Sequence, residues 1–236
     1  MLEAIVTGGA TGIGKACVES LIECDINVNL VYHTSEIAAL EYDNRSNVNL
    51  YKVDVTNESQ VIDFFSQVGS FDILINNAGG NISFATTDTY NTDDWKLTFD
   101  LNTLSVFLMC KHGIPLIRNG GKIINITSIS AKSGGAPGGM AYAASKAAVD
   151  CMTKSLAREL ASRDICVNAI SPGIVWTKQH EKFSSKEYYS SLIEKIPLGR
   201  DGSTRDISNL AKFLSSSESS YITGQTIEIN GGMLMK

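Results

Sequence analysis

Short apolar runs rich in strand formers alternate with amphipathic stretches from one end of the chain to the other. The runs cover residues 2–7, 26–32, 48–53, 71–75, 121–126, 165–170 and 226–229. Between them, helical spacing of apolar residues predicts helices over 12–24, 36–43, 58–68, 92–112, 141–162, 186–196 and 204–215, the fourth with a bend. Strands separated by helices build βαβ units and hence a parallel sheet. Several runs are apolar without interruption, as strands buried on both faces must be. The expectation is one α/β domain over residues 1–236: a doubly wound, mostly parallel, seven-stranded sheet with helices on both faces. No linker, repeat or low-complexity stretch divides it, and the serine-rich residues 215–220 read as a surface loop.

Bulk properties narrow the function classes. With 236 residues, 43% of them hydrophobic and 19% charged, the chain can bury a core without disulfides or metals. A formal net charge of −5 gives no basic footprint for nucleic acid or an anionic membrane surface. Cys17, Cys24, Cys110, Cys151 and Cys166 are odd in number, scattered and without a C-x-x-C, which fits free thiols, mostly in the core, in a reducing compartment. His33, His112 and His180 share no ligand spacing, so no metal is expected. With neither a leader-like start nor a long apolar run, the expected setting is the cytoplasm.

The first strand runs into Thr7-Gly8-Gly9-Ala10-Thr11-Gly12-Ile13-Gly14, which opens the first helix. A dinucleotide's pyrophosphate binds in such a place, because backbone N–H groups and the helix dipole point at the anion. Glycine lets the backbone turn sharply and approach the phosphates. A tight strand–helix turn with no ligand is the bland alternative. The second strand ends at Tyr32-His33-Thr34-Ser35, with no acid before Glu36. An acid there would accept from the adenosine ribose and mark NAD(H). His33, Thr34 and Ser35 can instead donate to a 2′-phosphate, so NADP(H) is the preferred expectation and NAD(H) the alternative.

Tyr142 and Lys146 stand at i and i+4, on one helix face. A nearby ammonium favours the phenolate and lowers a tyrosine's pKa, so the pair can supply acid/base chemistry to an alcohol or carbonyl. Ser128 lies just past the fifth strand, where open α/β sheets bind ligands. Its hydroxyl can hold a carbonyl, although Thr127 and Ser130 compete for that role. A Ser-His-Asp hydrolase is a poorer reading, since no G-x-S-x-G surrounds Ser128 and His180 is the last histidine.

These motifs, taken in order along nearly the whole chain, resemble the classical short-chain dehydrogenase/reductase family. The resemblance is carried by Thr7–Gly14, Asp54-Val55, Asn76-Asn77-Ala78-Gly79, Leu101-Asn102-Thr103, Ser128, Tyr142-x-x-x-Lys146 and Pro172-Gly173 followed by Thr177. It implies a Rossmann fold and a nicotinamide cofactor. It also implies roles: Tyr142 as proton donor in reduction, Lys146 lowering its pKa and binding the nicotinamide ribose, Ser128 orienting the carbonyl, and Asn102 holding a relay water. Gly8, Thr11, Gly12, Ile13 and Gly14 would bind the pyrophosphate, and Asp54 and Val55 the adenine. Asn77, Ala78 and Gly79 would line the adenosine ribose side, with Pro172, Val175 and Thr177 near the carboxamide. Asn76 would brace the sheet. Ser128 and Tyr142 are fourteen residues apart, one more than is typical, and the glycine-rich residues 134–139 can absorb the extra residue.

Within the family the tail resembles bacterial 3-oxoacyl-[acyl-carrier-protein] reductases, through Tyr221-Ile222-Thr223-Gly224-Gln225-Thr226, Asn230-Gly231-Gly232-Met233 and Ile196-Pro197-Leu198-Gly199-Arg200. Arg163 matches a carrier-docking position, while Asn119 stands where Arg118 would be needed. The expected reaction is reduction of a 3-oxoacyl thioester, with sugar, polyol, steroid-like or small-ketone substrates as alternatives. Residues 176–196, with His180, Phe183, Tyr188 and Tyr189, would cover the substrate. The family also implies a homotetramer. A non-catalytic nucleotide-binding module, or a dehydratase, epimerase or halohydrin lyase on the same fold, are the rival classes; the intact catalytic set and glycine turn disfavour them.

Overall fold

In this computed structural model the described residues are 1–177 and 186–235. Seven strands form one sheet in the order β3-β2-β1-β4-β5-β6-β7, with every ladder parallel. They are β1 Glu3–Thr7, β2 Asn27–Tyr32, β3 Val48–Lys52, β4 Phe71–Asn76, β5 Ile117–Ile126, β6 Cys166–Pro172 and β7 Thr226–Ile229. The order reverses between β1 and β4, and a crevice opens at the carboxyl ends of strands at such a switch point.

The β1 sequence shows why the sheet lies in the middle. Ala4, Ile5 and Val6 are all fully buried. Side chains of a strand alternate, so Ala4 and Val6 face one layer and Ile5 the other. The first layer packs Cys17, Val18 and Leu21 of α1 (Gly12–Ile22) with Ile207, Ala211 and Leu214 of a late helix, Thr204–Ser215. The second packs Val61, Phe64 and Phe65 of α3 (Glu58–Val68) with Val106, Val149 and Leu160. Burying one such side chain contributes about 1.5–3 kcal/mol, so the apolar stripes fix both layers.

The segment expected as one bent helix over 92–112 is α4 (Thr92–Phe99), a π-helical turn (Asp100–Leu104) and α5 (Ser105–Gly113), joined without a break. The bend is therefore a π-turn, a device that often marks functional sites. The helix expected over 36–43 is a single α turn, α2 (Glu36–Ala39), followed by a 3-10 turn over Leu40–Tyr42. α6 (Ser130–Ser133), not foreseen, precedes α7 (Met140–Leu160). α8 is Lys186–Ile193 and α9 is Thr204–Ser215. Residues 215–220 are not the plain surface loop expected. Ser219 is fully buried, and its hydroxyl donates to the carbonyls of Leu214 (3.0 Å) and Ser216 (3.1 Å).

Candidate active site

The turn between β1 and α1 is built so that its backbone faces outward. Gly8 and Gly12 have φ of 62° and 55°, a region side chains rarely adopt. A Cβ on Gly14 would lie 2.2 Å from the Gly8 carbonyl oxygen, so only glycine lets α1 start so close beneath the turn. Asn77 ties the turn to β4: its Nδ2 donates to the carbonyls of Thr7 (3.0 Å) and Gly8 (3.2 Å). Thr7 Oγ1 accepts from the backbone N–H groups of Asn77 and Ala78, each at 3.0 Å. α1 has neither a side-chain cap nor an acid in its first turn. By contrast α3, α4 and α9 are capped by Asn57, Asn91 and Ser203. The positive end of α1 is thus left for an external anion.

A cleft of about 830 Å³ runs from this turn along the carboxyl ends of β4, β5 and β6. Gly8, Thr11, Gly12, Ile13, Asn77, Ala78, Gly79, Ser128, Tyr142, Lys146, Pro172, Val175 and Thr177 all line it. Gly14 supports it from beneath. His33, Thr34, Asp54 and Val55 lie outside its walls, past the ends of β2 and β3. His33 and Thr34 are exposed there, whereas Val55 is buried. Asp54 Oδ1 accepts from the Thr56 amide (2.9 Å) and hydroxyl (2.7 Å), closing a turn. Burial pushes the Asp54 carboxyl up, but these hydrogen bonds and nearby His33 outweigh it and hold it below its ordinary value.

Ser128 follows β5, and its Oγ accepts from the Ser130 amide at 3.1 Å. Of the competing hydroxyls, Thr127 is buried and donates to Ile170 at 3.1 Å, while Ser130 also reaches the cleft. Tyr142 and Lys146 sit one turn apart on α7, as the spacing predicts. The Lys146 ammonium is buried, donates to the Ile126 carbonyl at 2.8 Å, and lies 5.9 Å from the Tyr142 ring centroid. Burial lowers Lys146 to about 8, against the opposing charge of Asp150.

The expected lowering of the Tyr142 pKa is not found. Burial raises it above its ordinary value, and the Ser128 hydroxyl only partly offsets this. The Lys146 ammonium donates to the Ile126 carbonyl, and burial sets the direction of the phenol's shift. Tyr142 is therefore held as the neutral, proton-bearing phenol.

Asn102 sits in the π-turn and is fully buried. Its Nδ2 donates to the carbonyls of Gly80 and Thr98, both at 2.8 Å, and its Oδ1 accepts from the Gly80 amide at 2.9 Å. It does not line the cleft but clamps the loop after β4. A Cβ on Gly79 would meet Asn102 Oδ1 at 2.7 Å and Lys146 Nζ at 2.9 Å, so that glycine lets the two approach the loop together. Asn76 braces the sheet as expected, donating to Asn125 Oδ1 at 2.9 Å.

Sequence reasoning missed Asn81 and Phe84, which also line the cleft, as do Leu192 and Lys195 of the expected cover. No spacing rule marks Asn81 and Phe84, because they lie in the irregular segment between β4 and α4. Asn81 is buried with neither amide atom hydrogen-bonded. Tyr188 lines the cleft and Tyr189 donates to Asp201 at 2.6 Å, so of the expected cover these two are placed. His180 and Phe183 lie outside the described residues. Arg163 is engaged internally: it donates to Asn119 Oδ1 (3.0 Å), the Ile114 carbonyl (2.7 Å) and the Ile117 carbonyl. Arg118 pairs with Asp72 at 2.7 Å. Among the described residues no cluster of metal-ligating side chains occurs, and no helix is long and apolar enough to cross a membrane.

Known proteins are similar to this chain over nearly its whole length. A family model described as enoyl-(acyl carrier protein) reductase matches residues 8–234. The 3-oxoacyl-[acyl-carrier-protein] reductase FabG of Rickettsia bellii is 38% identical over 239 residues, which is 98% of this chain and 96% of that protein. The protein of the same name from Staphylococcus aureus is 37% identical over 248 residues, covering 98% of each. A blue fluorescent protein from a metagenomic library, crystallised with NADPH, superposes with a TM-score of 0.91 at 30% identity, covering 99% of this chain and 98% of that one. A Serratia marcescens short-chain dehydrogenase/reductase mutant also gives 0.91 at 30% identity, covering 98% and 97%.

Proposed function

The chain belongs to the short-chain dehydrogenase/reductase family, and from that premise we propose that it reduces the keto group of a 3-oxoacyl thioester with NADPH. The observation that carries this reading is the meeting of Ser128, Tyr142 and Lys146 in the same cleft as the uncapped glycine turn. The residues present fit a dinucleotide: a Cβ at Gly14 would strike the Gly8 carbonyl, so α1 starts close beneath the turn, and the α1 N-terminus has no side-chain cap.

When bound, the nicotinamide supplies the hydride. The protein supplies position and a proton. Ser128 donates a hydrogen bond to the carbonyl oxygen and stabilises charge developing there. Tyr142 gives that oxygen its proton, and its raised pKa keeps it protonated through the neutral range, as an acid in reduction requires. Lys146, charged below about 8, supplies the positive field and a donor for the ribose. Asn102 keeps the loop over Gly79 and Gly80 in place beside Lys146.

NADPH is favoured over NADH on two grounds. His33 and Thr34 are exposed donors, and Glu36, the first acid after β2, is held by Lys52 at 2.7 Å. The relative crystallised with NADPH supports the same choice. The thioester follows from the FabG relatives. Arg163 commits three of its five N–H donors to internal acceptors, which favours recognition of any acyl carrier through other residues. A cytoplasmic homotetramer fits the family, and Leu97 and Phe107 of the α4–α5 rod are exposed as a packing face requires.

The test is NADPH and NADH oxidation, run separately, with acetoacetyl-CoA. Fast oxidation of NADPH alone supports the reading. Preference for NADH overturns the cofactor assignment, and oxidation of neither overturns the thioester substrate.

A further inference from the structure

At the opposite end of the sheet from the cleft, Lys122 of β5 and Cys166 of β6 are direct partners in the parallel ladder. Both are buried, at 6% and 7% exposure. Lys122 Nζ donates to Cys166 Sγ at 3.3 Å. Among the described residues that sulfur is its sole hydrogen-bond acceptor, and no carboxylate pairs with it. A buried ammonium whose single partner is a thiol is unusual, because buried charges are normally matched by charged or strongly polar groups. Sγ in turn donates to the Ser220 carbonyl at 3.4 Å, which fixes the sulfur toward the lysine. The two side chains line a cavity of about 530 Å³ whose rim includes the exposed residues Gly120, Ser217 and Ser220, so a small oxidant can reach them.

We propose that Lys122 and Cys166 form an oxidant-responsive covalent link between β5 and β6, with hydrogen peroxide as the oxidant class. Cys166 sulfur attacks one peroxide oxygen; the O–O bond breaks, a sulfenic acid forms and water leaves. The Lys122 ammonium gives one proton to water, and the amine so formed attacks that sulfur; an S–N bond forms, the S–O bond breaks, and a second nitrogen-bound proton leaves with the hydroxide as a second water. One peroxide is reduced to two waters, and the protein loses two hydrogens. The nitrogen is already within van der Waals reach of the sulfur, so the second step needs no backbone movement. The exposed thiols Cys24 and Cys151 have no lysine bonded to them among the described residues and serve as internal controls.

The full-length protein is titrated with hydrogen peroxide, digested and mapped by mass spectrometry with and without dithiothreitol. The expected product is one linked peptide pair joining Lys122 to Cys166, about 2 Da lighter than its parts and released by the thiol. A linked pair about 14 Da heavier than its parts, in which a second equivalent of peroxide has left one oxygen as N–O–S and released a third water, supports the same pairing. Lys122→Arg, which keeps the charge but cannot link, is expected to abolish the pair and carry Cys166 on to sulfinic acid, with turnover unchanged. The proposal is overturned if wild-type Cys166 stays a free thiol or oxidises unlinked while Cys24 and Cys151 react. It is also overturned if Cys166 oxidises identically with and without Lys122.

Discussion

At the carboxyl ends of the strands Ser128 and Tyr142 turn their hydroxyls into a cleft, and α1 keeps its N-terminal N–H groups uncapped. At the amino ends polar groups are matched inside the protein: Arg163 reaches three acceptors and Arg118 holds Asp72. The same residue types thus serve opposite purposes at the two ends. The first end leaves donors open, as chemistry requires. The second closes them, as stability requires, and Lys122 is the exception that makes its pairing with Cys166 notable.

The largest effect that would sharpen this contrast is expected at the turn. Gly14→Ala puts a Cβ into backbone 2.2 Å away, so the turn must open. Overpacking of this kind costs about 1–3 kcal/mol, and nucleotide binding, read by quenching of intrinsic fluorescence, is expected to be lost. Tight binding by a folded Gly14→Ala protein would show that the turn is not the phosphate seat.

A smaller effect is expected from pH. Lys146 loses its charge above about 8, while Tyr142 stays protonated beyond its ordinary range. The rate of reduction should therefore hold through neutrality and fall above about 8, roughly tenfold per pH unit once the ammonium is titrated. A flat profile to pH 10 would remove Lys146 charge from the mechanism.

The smallest effect on turnover is expected at the closed end. Arg163→Ala strips donors from two backbone carbonyls and Asn119, and should lower stability by about 1–3 kcal/mol in a denaturant titration. Its kcat with acetoacetyl-CoA should match the unaltered protein. A selective rise in KM for a carrier-bound substrate, with stability unchanged, would break the comparison by giving Arg163 a docking role.

Much of this was legible in the sequence, for identifiable reasons. The strand–glycine–helix turn and the i, i+4 pair Tyr142 and Lys146 are local, and local periodicity carries them. The parallel sheet followed from apolar runs separated by helices. What escaped was non-local. The π-turn that carries Asn102 changes hydrogen-bond register without disturbing the apolar pattern, so the sequence shows only a bend. Residues Arg118–Gly120 look like a loop but lie within β5, where pairing with β4 shifts register between Phe71 and Ile73. Ser219 is polar, yet two carbonyls satisfy it in the interior. The Tyr142 pKa turned on burial, which the i, i+4 spacing alone does not say.

The account rests on Tyr142 delivering the proton, and Tyr142→Phe separates that from binding. Nucleotide affinity by fluorescence titration and NADPH turnover with acetoacetyl-CoA are measured side by side on the two proteins. The expected result is unchanged affinity with turnover lower by about 10²–10⁴-fold, the usual contribution of a positioned acid. Turnover within a few-fold of the unaltered protein would contradict the account.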